Sequence, residues 1–199
     1  LSDAVLATDA VLADTDIPSE LSVEIGGSYE DQQDMFGDLI MLLAMIIILV
    51  YIVMASQFES FMSPFVIMFS IPFAFVGVFM GLWVTGTPLG TMGMIGILIL
   101  MGIVVKNGIV LIDYTILMRE RGYSVSQASV IAANSRLRPI LMTTLTTVLG
   151  MIPMAIGQGE GSEMWRSLGM VVAWGLSIST LVTLVIIPTV YASMASWQE

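Results

Sequence analysis

The sequence contains no cysteine and no histidine among its 199 residues. Without cysteine there is no disulfide bond and no thiol nucleophile, and without either residue the usual ligands of a protein zinc site are missing. A catalytic Ser-His-Asp triad is excluded for the same reason. The residues present therefore do not favour an enzyme, and we expect neither a metal site nor a cofactor.

Charged residues are also scarce, at 11% of the chain, whereas 57% of the residues are hydrophobic. The mean hydropathy of +0.95 is not that of an ordinary soluble domain. The apolar residues stand in long uninterrupted runs instead of the alternating or striped patterns of a water-soluble core. This composition predicts an all-α integral membrane protein.

The few charges are unevenly distributed along the chain. The first 38 residues contain ten of the sixteen acidic residues and no lysine or arginine, while the remainder holds six acidic and six basic residues. An acidic segment of this kind repels nucleic acids and anionic lipid headgroups. We therefore expect no nucleic-acid partner and interpret the segment as a solvated surface.

The first 37 residues have the character of a water-soluble segment. A short helix is predicted from Ser2 to Leu12, and residues 21–25 alternate like a β-strand before two glycines. The chain begins with Leu-Ser-Asp and lacks an initial methionine, so we expect it to be part of a longer protein. Residues 1–37 are accordingly predicted to be the α/β remnant of a larger domain, and residues 38–199 the membrane domain.

Five segments are long and apolar enough to cross the roughly 30 Å hydrocarbon layer of a membrane. The first is the continuation of a helix that begins near Ser28, and Pro72 is predicted to kink the second. The predicted transmembrane helices are residues 39–58, 61–85, 89–118, 139–156 and 168–191.

One connection, from Arg119 to Arg138, is longer than the others. It is predicted to hold a surface helix around residues 126–134, after which Pro139 stands in the first turn of the fourth span. Four of the six basic residues lie in this connection, and the positive-inside rule places it in the cytoplasm. The acidic N-terminal segment is then outside the membrane and the C-terminus inside.

Lys106 is the most informative residue of the membrane segments, because it lies within the otherwise apolar third span. A lysine at the centre of a membrane helix costs about 2.5 to 3.5 kcal/mol unless a partner or water compensates it. Asp113 follows on the same helix face, about 10 Å along the axis, which is too far for an ion pair. We therefore expect Lys106 to pair with a carboxylate outside this chain, unless its role is purely structural.

Polar residues and glycines mark the fourth span and the helix contacts. Thr143 and Thr147 lie one turn apart, where they either line a polar face or hold helices together. Arg136 and Arg138 are either membrane anchors or part of a cytoplasmic proton pathway, since two cations at a helix N-terminus oppose its dipole. The glycines predicted to let helices pack closely are Gly77, Gly81, Gly93, Gly96, Gly102 and Gly150.

Several ordered motifs of the chain can be recognised together. They are Gly102-Ile-Val-Val-Lys-Asn-Gly-Ile-Val-Leu-Ile-Asp-Tyr114, Arg136-Leu-Arg-Pro-Ile-Leu-Met-Thr143, Gly150-Met-Ile-Pro153 and Gly157-Gln-Gly-Glu-Gly161, with Val23-Glu-Ile-Gly-Gly27 and Gln57-Phe-Glu-Ser60 before them. Over nearly its whole length the chain resembles the C-terminal membrane half of resistance-nodulation-division (RND) efflux pumps, in the hydrophobe/amphiphile efflux branch.

The resemblance implies an architecture and a set of partners. Such pumps are homotrimers of twelve-helix protomers in the inner membrane, with periplasmic porter and docking domains. This chain would supply the eighth to twelfth helices, and residues 1–37 would be the tail of the last porter subdomain. Its partners would be the rest of the RND protomer, the other copies of the trimer, a periplasmic adaptor, an outer-membrane channel and the lipid bilayer.

The resemblance also implies a mechanism. In the family an aspartate pair on the fourth helix carries a proton, and a lysine on the tenth helix, at the position of Lys106, interacts with that pair. A functional arginine and threonine on the eleventh helix match Arg136 and Thr143. Asp113 completes the predicted proton relay because it shares a helix face with Lys106. Protonation would release the lysine and shift the helices. The aspartate pair is absent from this chain, which would therefore not transport alone.

Other interpretations stay open. A heavy-metal pump of the same superfamily would have the same architecture, although its motif usually carries an uncharged residue at the position of Lys106. A non-transporting membrane scaffold would use Lys106 only as a packing partner. An intramembrane enzyme would need a catalytic dyad or a His/Cys metal set, which this sequence lacks. Proton-dependent efflux would distinguish a pump from a scaffold, and the substrate would distinguish the two pumps.

Overall fold

The structure is a computed structural model, and it describes residues 7, 8, 10–12, 28–157, 159 and 161–195. The described residues among the first twelve are helical, as predicted. The predicted strand at residues 21–25 lies outside the described residues. The chain divides into two compact units, Leu1–Met41 and Leu42–Glu199. The assignment of residues 1–37 to a porter subdomain stays a prediction.

Six helices make up most of the described chain after residue 27. They are α1 (Ser28–Phe58), α2 (Met62–Met68), α3 (Ser70–Thr85), α4 (Thr91–Glu120), α5 (Val125–Ile156) and α6 (Ser162–Ala195). Helices α2 and α3 together form one segment of membrane-crossing length, and the other four helices are each long and apolar enough to cross alone. No strand occurs in the described residues. The predicted all-α membrane class with five spans is confirmed.

A proline separates α2 from α3. The helix breaks at Phe69, just before Pro72. Pro72 has no amide hydrogen, and its ring clashes with the carbonyl four residues earlier, that of Met68, so a regular helix cannot continue through this turn. The Ser70 hydroxyl donates a hydrogen bond of 2.7 Å to the Ile67 carbonyl and so satisfies an acceptor next to the break. The second span is interrupted at the predicted place.

Helix α5 differs from the sequence prediction. It begins at Val125, where Ser124 and Gln127 form a reciprocal capping box, and it continues to Ile156. The predicted surface helix is the first part of this same helix, and Pro139 lies in its interior, not in its first turn. The prediction was wrong because the capping box is the real start signal, and because membrane helices tolerate an internal proline when neighbouring groups satisfy the freed carbonyl.

The continuous α5 changes the setting of its two arginines. Arg136 and Arg138 stand about three turns inside the helix, far from its N-terminus. The helix dipole acts mainly within the first and last turns, so it does not oppose these charges. The connection between α4 and α5 consists of residues 121–124 and is shorter than the predicted one.

Helix α6 is the centre of the second unit, because α3, α4 and α5 all pack against it. The most apolar stretches of the α2–α3 segment, α4 and α6 are 50%, 56% and 50% buried, compared with 11% for α1 and 11% for α5. The unit thus has a well-packed core of three spans. Most of the surface of α1 and of α5 is not covered by the described residues, so lipid or other parts of the protein must cover it.

Glycines set how closely these helices approach. An added Cβ at four of the six predicted glycines would meet an atom of α6 at 3.2 Å or less; these are Gly77, Gly81, Gly93 and Gly96. An added Cβ at Gly102 or Gly150 would have nothing within 4 Å among the described residues. For these two the helix-packing role stays a prediction that concerns other parts of the protein.

Gly169 of α6 offers a test of this packing. A Cβ there would lie 2.8 Å from the backbone nitrogen of Ala155 in α5. Backbone cannot rotate away as a side chain can, so we expect Gly169→Ala to separate the helices and to reduce the free energy of unfolding by about 1–3 kcal/mol. The thermal midpoint of the detergent-solubilised protein measures this loss.

With this 199-residue chain alone, Gly150→Ala is the matched control, because it adds the same methyl group where no described residue lies within 4 Å. Alanine has less conformational freedom than glycine in the unfolded chain. The thermal midpoint should therefore stay unchanged or rise slightly, with a gain of about 0.5–1 kcal/mol in the free energy of unfolding. A Gly169→Ala variant as stable as the wild-type protein would contradict the close contact of α5 with α6.

Candidate functional site

One face of α4 is exposed while the rest of the helix is largely buried. Between residues 91 and 118 the exposed positions are 99, 102, 106, 113 and 117, which follow the spacing of a single helical stripe. We call these five positions the α4 stripe. Lys106 and Asp113 are its two charged members, about 10 Å apart along the axis.

Lys106 lines an open cleft of about 230 Å³ between α1 and α4. The remaining lining residues are glycine or apolar: Leu49, Val50, Val53 and Met54 of α1, and Gly102, Val105 and Ile109 of α4. Within the described part of the chain, neither Lys106 nor Asp113 has a hydrogen-bond or ion-pair partner. The lysine therefore combines an apolar surrounding with an unpaired charge.

This combination limits what can cover the α4 stripe. An ammonium group held against lipid hydrocarbon would cost about 2.5–3.5 kcal/mol or more, because lipid tails offer no acceptor. A carboxylate or a water-filled space removes that cost, and a carboxylate does so best with good hydrogen-bond geometry. The stripe is thus suited to contact another polar part of the protein.

Arg136 connects α5 to the same region of α4. Its guanidinium carbon lies 4.7 Å from the centre of the Tyr114 ring, which is within cation–π distance. The Nε atom of Arg136 is buried and has no hydrogen-bond partner among the described residues. Because Tyr114 follows Asp113 directly, the stack brings Arg136 to the level of Asp113. That level is about 9 Å further along α4 toward its middle than Arg119.

The threonines of α5 have different partners. Thr143 is exposed and donates a hydrogen bond of 2.9 Å to the Ile140 carbonyl, and Thr147 donates one of 2.9 Å to the Thr143 carbonyl. Thr144 is buried and shares a hydrogen bond of 3.1 Å with the Thr180 hydroxyl of α6. The hydroxyl contact between helices is therefore made by Thr144, which the sequence analysis did not single out.

The structure thus brings together part of the predicted site. Lys106 and Asp113 share the α4 stripe, and Arg136 reaches the level of Asp113 through Tyr114. Thr143 follows Arg136 by two turns on α5, and no described contact joins it to α4. Tyr114 and Thr144 each contact a residue of a neighbouring helix, so their contacts depend on which helices lie side by side. The sequence offers only one signal for Tyr114, its position next to Asp113.

Comparisons with known proteins identify relatives along the whole chain. The model of the AcrB/AcrD/AcrF family matches residues 1–195. The swarming motility protein SwrC of Bacillus subtilis is 40% identical and covers 100% of this chain. The cobalt-zinc-cadmium resistance protein CzcA of Cupriavidus metallidurans is 34% identical over 93% of it, and the multidrug resistance protein MdtC of Proteus mirabilis is 33% identical over 96%.

A solved structure has the same fold. The crystal structure of a heavy metal efflux pump matches 98% of this chain with a TM-score of 0.83 and 31% identity. The chain spans about a fifth of these proteins: 19% of SwrC, 17% of CzcA, 19% of MdtC and 20% of the crystallised pump. Both metal-resistance and multidrug-resistance proteins are thus similar to it.

The Arg136–Tyr114 stack can be tested by removing the aromatic ring. We expect Tyr114→Leu to reduce the free energy of unfolding by about 0.5–2 kcal/mol, the range of a partly buried cation–π contact. It should also make Arg136 more reactive toward phenylglyoxal, as read by mass spectrometry of the modified peptide. Tyr114→Phe keeps the ring face and should change both values little.

Tyr123→Leu serves as the control, since Tyr123 lies exposed in the connection between α4 and α5. It should leave the reactivity of Arg136 unchanged. If Tyr114→Phe were as damaging as Tyr114→Leu, the hydroxyl group and not the ring face would hold Arg136.

Proposed function

The chain belongs to the AcrB/AcrD/AcrF family of RND efflux transporters, and we propose that it is the C-terminal transmembrane part of a proton-driven exporter of drugs and other amphiphiles. The proposed reaction is drug/proton antiport, and we infer no enzymatic activity. Because the chain spans about a fifth of its relatives, the proposed activity belongs to the whole protein and not to this part alone.

The observation that carries the proposal is the position of Lys106. Its charge lies on the exposed α4 stripe, beside an apolar cleft, without an acidic partner in the described residues. A residue that only stabilised the fold would be expected to have its partner within the packed unit. The unpaired charge of Lys106 fits a switch in which the lysine pairs with a carboxylate from elsewhere in the protein. That carboxylate would gain and lose the proton.

The free energy of one ion pair is similar to the free energy that a proton supplies when it crosses the membrane. An ammonium and a carboxylate 4 Å apart attract each other by about 4 kcal/mol at an effective dielectric constant of about 20. Protonation of the carboxylate removes this attraction, and one charge that crosses 100 mV supplies about 2.3 kcal/mol. Since the two amounts are comparable, one or two protons suffice to release Lys106 and to bias the helices beside the α4 stripe between two positions.

Arg136, Asp113 and Thr143 would serve the cytoplasmic end of this pathway. A guanidinium stays protonated in proteins, so Arg136 would act as a fixed charge that orients water or a carboxylate, not as a proton carrier. Asp113 would supply a carboxylate to the same pathway. Thr143 can hold water through its hydroxyl oxygen, because the bond to Ile140 uses only its hydrogen. These roles rest on the family resemblance and on their positions.

We propose an inner-membrane protein with the connection at residues 121–124 and the C-terminus in the cytoplasm. Support comes from the basic residues near that connection and from the acidic N-terminal segment, which would be periplasmic. By the same family resemblance the protein would be a homotrimer, bound to a periplasmic adaptor and an outer-membrane channel.

A heavy-metal exporter is the second candidate, because CzcA and the crystallised heavy metal efflux pump are both similar along nearly the whole chain. Among the described residues, no three metal-ligating side chains of the His, Cys, Asp and Glu types come together. A metal site built from these four residue types would therefore need ligands from other parts of the protein. Lys106 is the feature that favours the first candidate.

The proton switch can be tested with Lys106→Met, which keeps the length of the side chain and removes the charge. We expect proton-dependent dye efflux by pump-deficient cells to fall to the level of cells without the protein, because the carboxylate partner loses its counter-charge. The measurement compares cells with equal amounts of full-length protein in the membrane.

Ile99→Met is the matched control, since it changes an apolar position of the same stripe and should leave efflux unchanged. Lys106→Arg keeps the charge with a different shape and should retain part of the activity. Full efflux by Lys106→Met, with the trimer intact, would overturn the proposed role of Lys106.

The substrate class has its own test. The wild-type protein should raise the resistance of pump-deficient cells to lipophilic dyes and bile salts, while resistance to Co²⁺, Zn²⁺ and Cd²⁺ stays at the level of the host. Metal resistance without dye resistance would favour the second candidate, and neither kind of resistance would favour a scaffold.

A further inference from the structure

A groove follows the seam between α5 and α6. Its wider part, about 390 Å³, lies between α3, α5 and α6 and has Met80, Ile152 and Trp174 among its walls. Its narrower part, about 180 Å³, lies between α5 and α6. Val148 and Ser177 line both parts, so the two form one groove, which we call the seam groove.

Two close contacts keep α5 and α6 at a fixed separation along the seam groove. At one end Gly169 lets α6 approach the backbone of Ala155, which lies 2.8 Å from the place of a Cβ. At the other end Thr144 and Thr180 share a hydrogen bond of 3.1 Å. Because the helices already touch at both ends, they cannot close the space between them, and either lipid or another part of the protein must fill it.

The hydroxyl groups of the groove are already hydrogen-bonded within the protein. The Ser177 hydroxyl donates a hydrogen bond of 2.7 Å to the Ala173 carbonyl, and Thr144 and Thr180 bond to each other. The other lining residues are apolar, apart from the single indole N–H of Trp174. A buried water needs two to four polar partners, which this groove does not offer. The chemistry therefore favours an apolar occupant.

The dimensions of the groove fit one membrane leaflet. Along α6 it extends from Met170 to Leu181, which is about 16 Å at 1.5 Å per residue. This is about half of the roughly 30 Å hydrocarbon thickness of a bilayer, the depth that one lipid acyl chain covers. The end near Met170 also contains Ile156 and lies next to the short connection between α5 and α6, at residues 157–161.

The same end carries a cation and an aromatic residue. Arg166 is exposed and precedes Met170 by one helical turn, on the same face of α6. A guanidinium forms paired, charge-assisted hydrogen bonds with phosphate oxygens. Trp165 is 50% exposed, as is common for tryptophan at the boundary between lipid and water. The groove thus has an apolar body with one exposed cation at this end, in a segment whose sequence also contains Glu160 and Glu163.

We propose that the seam groove binds one acyl chain of a phospholipid, with the lipid phosphate beside Arg166. The site depends only on the membrane position of the five spans and not on the proposed transport function. Lipid tails are as apolar as leucine, so the bound chain gains little from the hydrophobic effect. It is held by van der Waals contact with three helices and by the charge of Arg166.

The test uses the full-length protein in lipid nanodiscs that contain phosphatidylcholine with a photoreactive diazirine on one acyl chain. After irradiation, mass spectrometry should find labels on the peptides of residues 141–156 and 170–181. We expect labelling there to exceed that of exposed α1 residues outside the Lys106 cleft, namely Met41, Met45, Ile48 and Ile52, by about threefold or more. A lipid in the annulus lacks the groove's contacts.

Variants that fill the groove make the test specific. Ala173→Phe places a ring in the wider part, and Ser177→Leu fills the junction of the two parts, so each should abolish the threefold enrichment. Ala44→Phe adds the same ring to an exposed position of α1 and should have no effect. Arg166→Gln should reduce the enrichment and leave the positions of the labels unchanged.

Three results would overturn the proposal. One is labelling of the groove peptides no stronger than that of α1. Another is enrichment that Ser177→Leu and Ala173→Phe both leave unchanged in folded protein. The third is chemical cross-linking of the groove residues to a helix elsewhere in the protein, since the space would then be filled by protein and not by lipid.

Discussion

The unpaired charge of Lys106 is the constraint on which the interpretation of this membrane unit depends. An ammonium group among apolar residues is stable only beside an acceptor, and the described chain provides none within reach. The α4 stripe must therefore face protein or water. Arg136, held over Tyr114 at the level of Asp113, extends the same polar region onto α5. The position of one lysine in this way determines which surface of the unit meets the rest of the protein and which surfaces are free to meet lipid.

That position is defined because α4 cannot rotate in its packing. Gly93 and Gly96 bring α4 against α6, and Gly77 and Gly81 bring α3 against the same helix. Any rotation of α4 would replace these small residues with larger ones at the contact, which close packing does not allow. Helices α1 and α5 are much less buried than this core. These two helices flank the stripe and are packed more loosely. When the charge state around Lys106 changes, they can move while the packing of the core stays the same.

Much of this fold could be predicted from the sequence, because the lipid environment leaves few alternatives. Long apolar runs in a membrane must be helices, so five spans followed from composition and length. The break before Pro72 followed from the missing amide. The predicted start of the fourth span was wrong, because Pro139 was interpreted as its first turn and the capping signal at Ser124 was overlooked. Neighbour relations were out of reach: that Arg136 stacks on Tyr114, and that Thr144 and not Thr143 contacts α6, depends on the relative rotation of helices, which periodicity does not reveal.

Two cavities of this unit look alike in composition and differ in what they require. The cleft between α1 and α4 has seven glycine or apolar lining residues and one unpaired cation, so an apolar occupant would leave that charge without compensation. The seam groove between α5 and α6 contains three hydroxyl groups, each already hydrogen-bonded within the protein. An acyl chain can enter it without isolating a charge or an unpaired hydroxyl group. Whether a membrane protein surface is covered by protein or by lipid is therefore decided less by how apolar the surface is than by whether its few polar atoms are already satisfied.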